Sequence, residues 1–113
     1  MALTIQPTTA TLGAMVTDID LATLDEATWH EMEDAFKEYA LLIFPGQALS
    51  SKAQIAFAKR FGEIEILTEN LLTTALTNKG EDGALMGDDT FRMKLLAGNE
   101  GWHTDSSCMP LSA

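Results

Sequence analysis

Apolar and polar positions change their period several times along the chain, and each change predicts an element. In "LTIQPTTATLGAMVTDIDL", Leu3 and Ile5 alternate with polar neighbours, Gly13 interrupts, and Met15, Val16, Thr17 and Ile19 continue in extended style. Two short strands are expected there. "TLDEATWHEMEDAFKEYA" then shifts to helical spacing. Trp29, Met32, Phe36 and Tyr39 fall on one stripe, and Glu31, Glu33, Asp34, Lys37 and Glu38 turn to water. Thr23 and Glu26 have the spacing of a capping box at its start. The aromatic stripe predicts a core face, with Trp29, Met32 and Phe36 buried against the strand that follows and His30, about 100° off the stripe, in solvent.

"ALLIF" is too short for a helix and reads as a buried strand ended by Pro45-Gly46. A second helix begins near Ser50 or Ser51, where Ser51 and Gln54 again match a capping box. Ile55, Ala58 and Phe61 form its inner face, and Gly62 suits its stop. "EIEIL" alternates and predicts a further strand. From Thr68 to Gly98 the pattern weakens: "NKGEDG" is turn chemistry, Ala84 to Met86 reads as a short strand, and a long mobile loop accounts for the rest. The order of elements gives a mixed α/β class.

Composition narrows the function. The 113 residues suffice for one small domain, and 46% apolar with 21% charged residues is globular. A net charge of −10 disfavours nucleic-acid backbones and anionic membranes as partners. A single cysteine, Cys108, forms no internal disulfide and fits a reducing compartment. No targeting segment or membrane span is evident, so a cytoplasmic protein is expected.

Candidate chemistry gathers at the end of the chain, in "GWHTDSSC". In an extended segment, side chains at i and i+2 share a face, so His103 and Asp105 would offer an imidazole and a carboxylate side by side, turned into the concave interior. With one more histidine they would form the facial triad of a non-haem iron(II) oxygenase, which leaves positions open for cosubstrate and oxygen. Two histidines and eight aspartates in 113 positions produce about 0.14 such pairs by chance, so a surface hydrogen bond competes with the metal reading. Ser106 or Ser107 as a triad nucleophile is disfavoured, because such triads join residues distant in sequence. Cys108 lacks a base to activate it and reads as buried and inert.

The arrangement as a whole resembles the N-terminal part of the taurine dioxygenase / 2,4-dichlorophenoxyacetate dioxygenase family of iron(II)- and 2-oxoglutarate-dependent enzymes. "LGAMVTDIDL" is similar to the family's early strand and turn, "YALLIFPGQALSSKAQIAFAKRFGEIE" to its helix–strand–helix entry, and "NEGWHTDSS" to the segment bearing two iron ligands. The resemblance implies iron ligation by His103 and Asp105, with Trp102 fixing their strand and Asn99 near the substrate. It implies 2-oxoglutarate as cosubstrate, oxygen and a small organic molecule as partners, and hydroxylation with release of succinate and CO2. Where taurine-type members carry sulfonate-binding histidines, this chain has "IEILTEN". The carboxylate of Glu65, with Leu67, argues against taurine, and "WHTDSS" is closer to the 2,4-dichlorophenoxyacetate-type branch.

The implied fold is a double-stranded β-helix (jelly roll) with two flanking helices. The family's second iron histidine and its 2-oxoglutarate arginine fall beyond position 113. Arg60 and Arg92 stand outside that arginine motif and read as surface residues. The expectation is therefore residues 1–113 of a single dioxygenase domain whose remainder is missing, itself inactive, with homo-oligomerisation left open. The competing expectation is an autonomous acidic α/β module that binds a partner through the loop from Thr68 to Gly98.

Overall fold

The computed structural model describes residues 3–66, 71–106 and 110. It forms two compact units, Met1–Thr73 and Thr74–Ala113.

The first unit carries the strands β1 (Thr4–Pro7), β2 (Ala14–Thr17) and β3 (Leu42–Ile43), with the helices α1 (Glu26–Tyr39) and α2 (Ser51–Ala58). Its sheet has the order β1-β2-β3. β1 and β2 are antiparallel, with Ile5 opposite Val16, and β2 and β3 are parallel, with Ala14 opposite Leu42. A parallel pair needs a long crossover, and α1 lies in it. Pleating then sorts β2: Ala14 and Val16 are fully buried, while Met15 between them is exposed. Gly13, at φ +103°, makes the turn ahead of β2, and a Cβ there would press on Thr8 at 3.3 Å.

Helix α1 follows the predicted stripe with two corrections. Its N-cap is Asp25, whose carboxylate accepts the Thr28 N–H at 2.8 Å. The Thr23–Glu26 box does not form, because the Thr23 hydroxyl donates to Asp20 at 2.9 Å instead. The buried residues are Trp29, Met32 and Ala35, whereas Phe36 remains 42% exposed and makes a T-shaped contact with Phe61, at 5.8 Å between ring centres. Trp29 also packs differently from expectation, edge-on to Phe57 and Phe61 of the α2 region at 6.1 and 4.9 Å. His30 is exposed, as its angle off the stripe predicts.

Ser50, not Ser51, caps α2, accepting the Ala53 N–H at 3.2 Å. Regular helix ends at Ala58, and a tighter turn carries the chain through Arg60 and Phe61 to Gly62, at φ +148°. Gln47 ties β3's exit to the segment before α1: its amide accepts from the Leu21 N–H at 3.1 Å and donates to the Ile19 carbonyl at 2.9 Å.

Residues 63–66 of "EIEIL" form no strand, and Leu67 lies outside the described residues. Alternation alone gives no hydrogen-bonding neighbour, and a strand requires one. In the second unit, "NKGEDGAL" makes a tight turn closed by a single bridge between Lys79 and Leu85. The predicted long loop contains a third helix, α3 (Phe91–Gly98), capped by Thr90, which accepts the Met93 N–H at 3.3 Å. The described residues form a mixed α/β fold with one small sheet and three helices rather than two. Among the described residues, no helix is long and apolar enough to cross a membrane.

Candidate metal centre

The candidate residues all lie in the second unit, from α3 onward. α3 ends with Asn99 as its C-cap, and successive tight turns follow, with Glu100 N–H donating to Ala97 and Gly101 N–H to Gly98. His103 and Asp105 come next. The segment is not a strand: Asp105 and Ser106 sit in a turn, and Ser106 has φ +55°. The two side chains nonetheless converge, with His103 Nε2 3.2 Å from Asp105 Oδ1.

The other ring nitrogen decides what this contact means. His103 Nδ1 lies 2.8 Å from the Gly101 carbonyl oxygen. A carbonyl only accepts, so Nδ1 carries the hydrogen and Nε2 is the nitrogen turned to Asp105. A bare Nε2 lone pair facing a carboxylate at 3.2 Å is repulsive. A proton on Nε2 turns the contact into a charged hydrogen bond, and a metal ion shared by the two donors would relieve the same repulsion. The donation to Gly101 raises the His103 pKa, partial desolvation opposes it, and the Asp105 carboxylate pushes it up again.

This donor set fits a divalent metal. Two cis donors on an octahedral ion, each at about 2.1 Å, stand about 3.0 Å apart, close to the observed separation. A ligating histidine characteristically donates its other N–H to a carbonyl or carboxylate, which is the role Gly101 plays here. The face is incomplete, however. Among the described residues no third histidine, cysteine, aspartate or glutamate joins the pair.

The surroundings depart from expectation. The pair is open to solvent, with His103 and Asp105 side chains 48% and 82% exposed, rather than turned into a concave interior. Trp102 is also fully exposed and braces no strand. Ser107 and Cys108 lie outside the described residues. His30 belongs to the first unit, where it pairs with Glu33 at 3.8 Å. Glu65 is half-buried there.

Asn99 borders a cleft of about 280 Å³ between residues 74–76 and α3, walled by Leu76, Leu95 and Leu96. Arg92 lines the same cleft and donates to the Ala75 carbonyl at 3.1 Å. Arg60 is no simple surface residue either. Its guanidinium lies 4.6 Å over the Trp29 ring and 2.6 Å from Glu26. Sequence reasoning missed α3 and with it the cleft. The available signal was Thr90 ahead of Phe91 and Leu95 at an i, i+4 spacing, with Gly98 beyond.

Comparison with known proteins identifies the relatives of this chain. The chain is 46% identical over 114 residues to an (S)-phenoxypropionate/alpha-ketoglutarate-dioxygenase of Sphingobium herbicidovorans, an alignment covering 99% of this chain and 38% of that protein. A protein of the same description from Delftia acidovorans is 47% identical over 117 residues, covering 98% and 39%. An alpha-ketoglutarate-dependent 2,4-dichlorophenoxyacetate dioxygenase of Cupriavidus pinatubonensis is 31% identical over 118 residues, covering 95% and 41%. Among solved structures, AAD-2 in complex with Mn(II) and N-oxalylglycine superposes with a TM-score of 0.86 at 32% identity, over 100% of this chain and 40% of that one. The chain thus spans about two fifths of the length of the relatives it matches. With the match to the "Taurine catabolism dioxygenase TauD, TfdA family" running from residue 4 to residue 112, the chain belongs to that family.

Proposed function

We propose that this chain contributes two metal ligands, His103 and Asp105, to an iron(II)- and 2-oxoglutarate-dependent dioxygenase. The reaction consumes 2-oxoglutarate, oxygen and a small organic substrate, and yields succinate, CO2 and the hydroxylated product. The observation that carries the reading is the His103–Asp105 contact at 3.2 Å with Nδ1 tied to Gly101, a pair already spaced for one ion. When bound, the metal supplies the redox chemistry that couples decarboxylation to hydroxylation.

The chain's own residues do the positioning. The Gly101 carbonyl holds the imidazole in the tautomer that presents Nε2, and Asp105 brings the anionic oxygen that offsets part of the ion's charge. The third ligand and the group that grips 2-oxoglutarate come from beyond the described residues, in a longer protein whose jelly roll incorporates the β1-β2-β3 sheet. The relatives' names point to an aryloxyalkanoic acid as the substrate class, and the carboxylate of Glu65 is unsuited to a sulfonate.

Binding of Mn(II) to the purified chain, followed by water-proton relaxation, tests the ligand assignment. His103→Ala and Asp105→Ala should each weaken binding by about tenfold or more. Unchanged affinity in both variants would remove these residues from the metal site.

A further inference from the structure

The cleft of the second unit combines an apolar wall with one cation. Leu76, Leu95 and Leu96 supply the wall, and Thr74, Arg92 and Asn99 are the polar residues that line it. Arg92 spends one N–H on the Ala75 carbonyl at 3.1 Å. A guanidinium carries five donors, so most of its capacity is unspent. Among the described residues it also has no carboxylate partner, in contrast to Arg60 and Lys37. The cleft volume, about 280 Å³, suits a single small molecule with an apolar body rather than a peptide.

The cleft also lies near the metal ligands in the chain. Asn99 precedes His103 by four residues, which bounds their Cα separation at about 14 Å even for a fully extended chain. The turns at Glu100 and Gly101 shorten that reach. A molecule lying along α3 with one end at Asn99 is therefore within a small-molecule length of His103.

We infer that this cleft is a binding site for a small monocarboxylic acid with an apolar, aryl-sized body, and that Arg92 is the residue that binds its carboxylate. The substrate class rests on the dioxygenase reading, but the cleft and its cation do not. The guanidinium donates in parallel to both carboxylate oxygens, a geometry an ammonium does not reproduce. The leucines take the body, and the Asn99 amide closes the end toward His103. A dicarboxylate such as 2-oxoglutarate would place its second charge against the leucines, which disfavours it there.

The test uses the 113-residue chain with methyl-labelled leucines and (S)-2-phenoxypropionate as the probe. Four arms follow the Leu76, Leu95 and Leu96 methyl signals: the acid, its neutral primary amide, acetate, and 2-oxoglutarate. The acid should shift these signals saturably, while the amide, acetate and 2-oxoglutarate bind about tenfold more weakly or less. Arg92→Gln should reduce acid binding to the level of the amide, and Arg92→Lys should restore only part of it. The amide arm is measured on the unaltered chain, so it stands even if Arg92→Gln disturbs the 74–76 contact. Equal binding of acid and amide, equal binding of 2-oxoglutarate, or no saturable shift with the acid would overturn the inference. Mn(II) added to the same sample reports separately on His103 and Asp105. Failure of metal binding there would sink the dioxygenase reading and leave the acid site standing.

Discussion

Arg60 offers a case in which two interactions of different kind compete to explain one side chain. Its Nη2 lies 2.6 Å from Glu26 Oε1, and its guanidinium carbon lies 4.6 Å from the Trp29 ring centre. The short ion pair looks the stronger, yet the surroundings favour the ring. The Glu26 side chain is 77% exposed, and exposed pairs typically contribute about 0.5 kcal/mol. Trp29 is only 6% exposed, and the Arg60 side chain is 26% exposed. A cation over a largely desolvated ring is worth about 1 kcal/mol or somewhat more. Arg60→Ala should then destabilise the chain by about 1.5 kcal/mol, and Glu26→Gln by about 0.5 kcal/mol or less. Double-mutant cycles in urea, followed by far-UV circular dichroism, separate the two. Arg60 should couple to Trp29 (tested as Trp29→Leu) more strongly than to Glu26. Raising NaCl to 1 M shrinks the screening length to about 3 Å, which should erase the Glu26 coupling and leave most of the Trp29 coupling. A Glu26 coupling equal to or larger than the Trp29 coupling at low salt would refute the reasoning.

Met32 is fully buried, so Met32→Ala should cost about 2–5 kcal/mol, and a urea midpoint shift equivalent to less than about 1 kcal/mol would show that the site collapses around the gap. The Thr28 N–H that the N-cap Asp25 accepts holds the Asp25 carboxyl below the usual aspartate range. A depressed folded-state pKa stabilises above the unfolded value and is lost as pH falls through the folded one. The thermal midpoint gap between the native chain and Asp25→Asn should therefore be present at pH 7 and shrink below about pH 4, and a gap independent of pH would contradict the cap's charge. The 113-residue chain, given iron(II), 2-oxoglutarate and ascorbate, should form no more succinate than its His103→Ala variant. Succinate well above that control would mean that this chain assembles a working site alone.

The fold was legible wherever a period met a partner. The α1 stripe was visible because residues 29, 32 and 36 recur at helical spacing, and packing covers the first two and leaves Phe36 at the margin. Its edges were not, because capping is settled by competition among neighbouring polar groups: Asp20 takes the Thr23 hydroxyl, and Asp25 is left to cap. "ALLIF" contributes only Leu42 and Ile43 to the sheet, opposite Ala14 and Met15 of β2, because an apolar run does not encode how far it will pair with its neighbour. "EIEIL" alternates, yet its described residues 63–66 have no such neighbour. α3 hid for the opposite reason. None of its residues is buried, so it presents no stripe to read, and the cap at Thr90 is its clearest signal.

The site divides in the same way, between what side-chain spacing encodes and what the backbone adds. Spacing placed His103 beside Asp105, and the family resemblance named the use. The element that supports the proposed ligand role is the Gly101 carbonyl, which has no side-chain signature and becomes visible only when the turn after α3 is built. On the proposed reading that carbonyl would do part of the work of a metal site in advance, because it fixes the ring and its tautomer. It does not supply affinity. Two donors that are 48% and 82% exposed compete with bulk water for every coordination position, and iron(II) sits low in the affinity order of the divalent metals. Orientation is thus built locally, within residues 99–106, whereas strength must come from a third ligand and from walls that exclude water. A chain with the first and not the second should hold Mn(II) weakly, lose that binding on His103→Ala, and still turn over no 2-oxoglutarate.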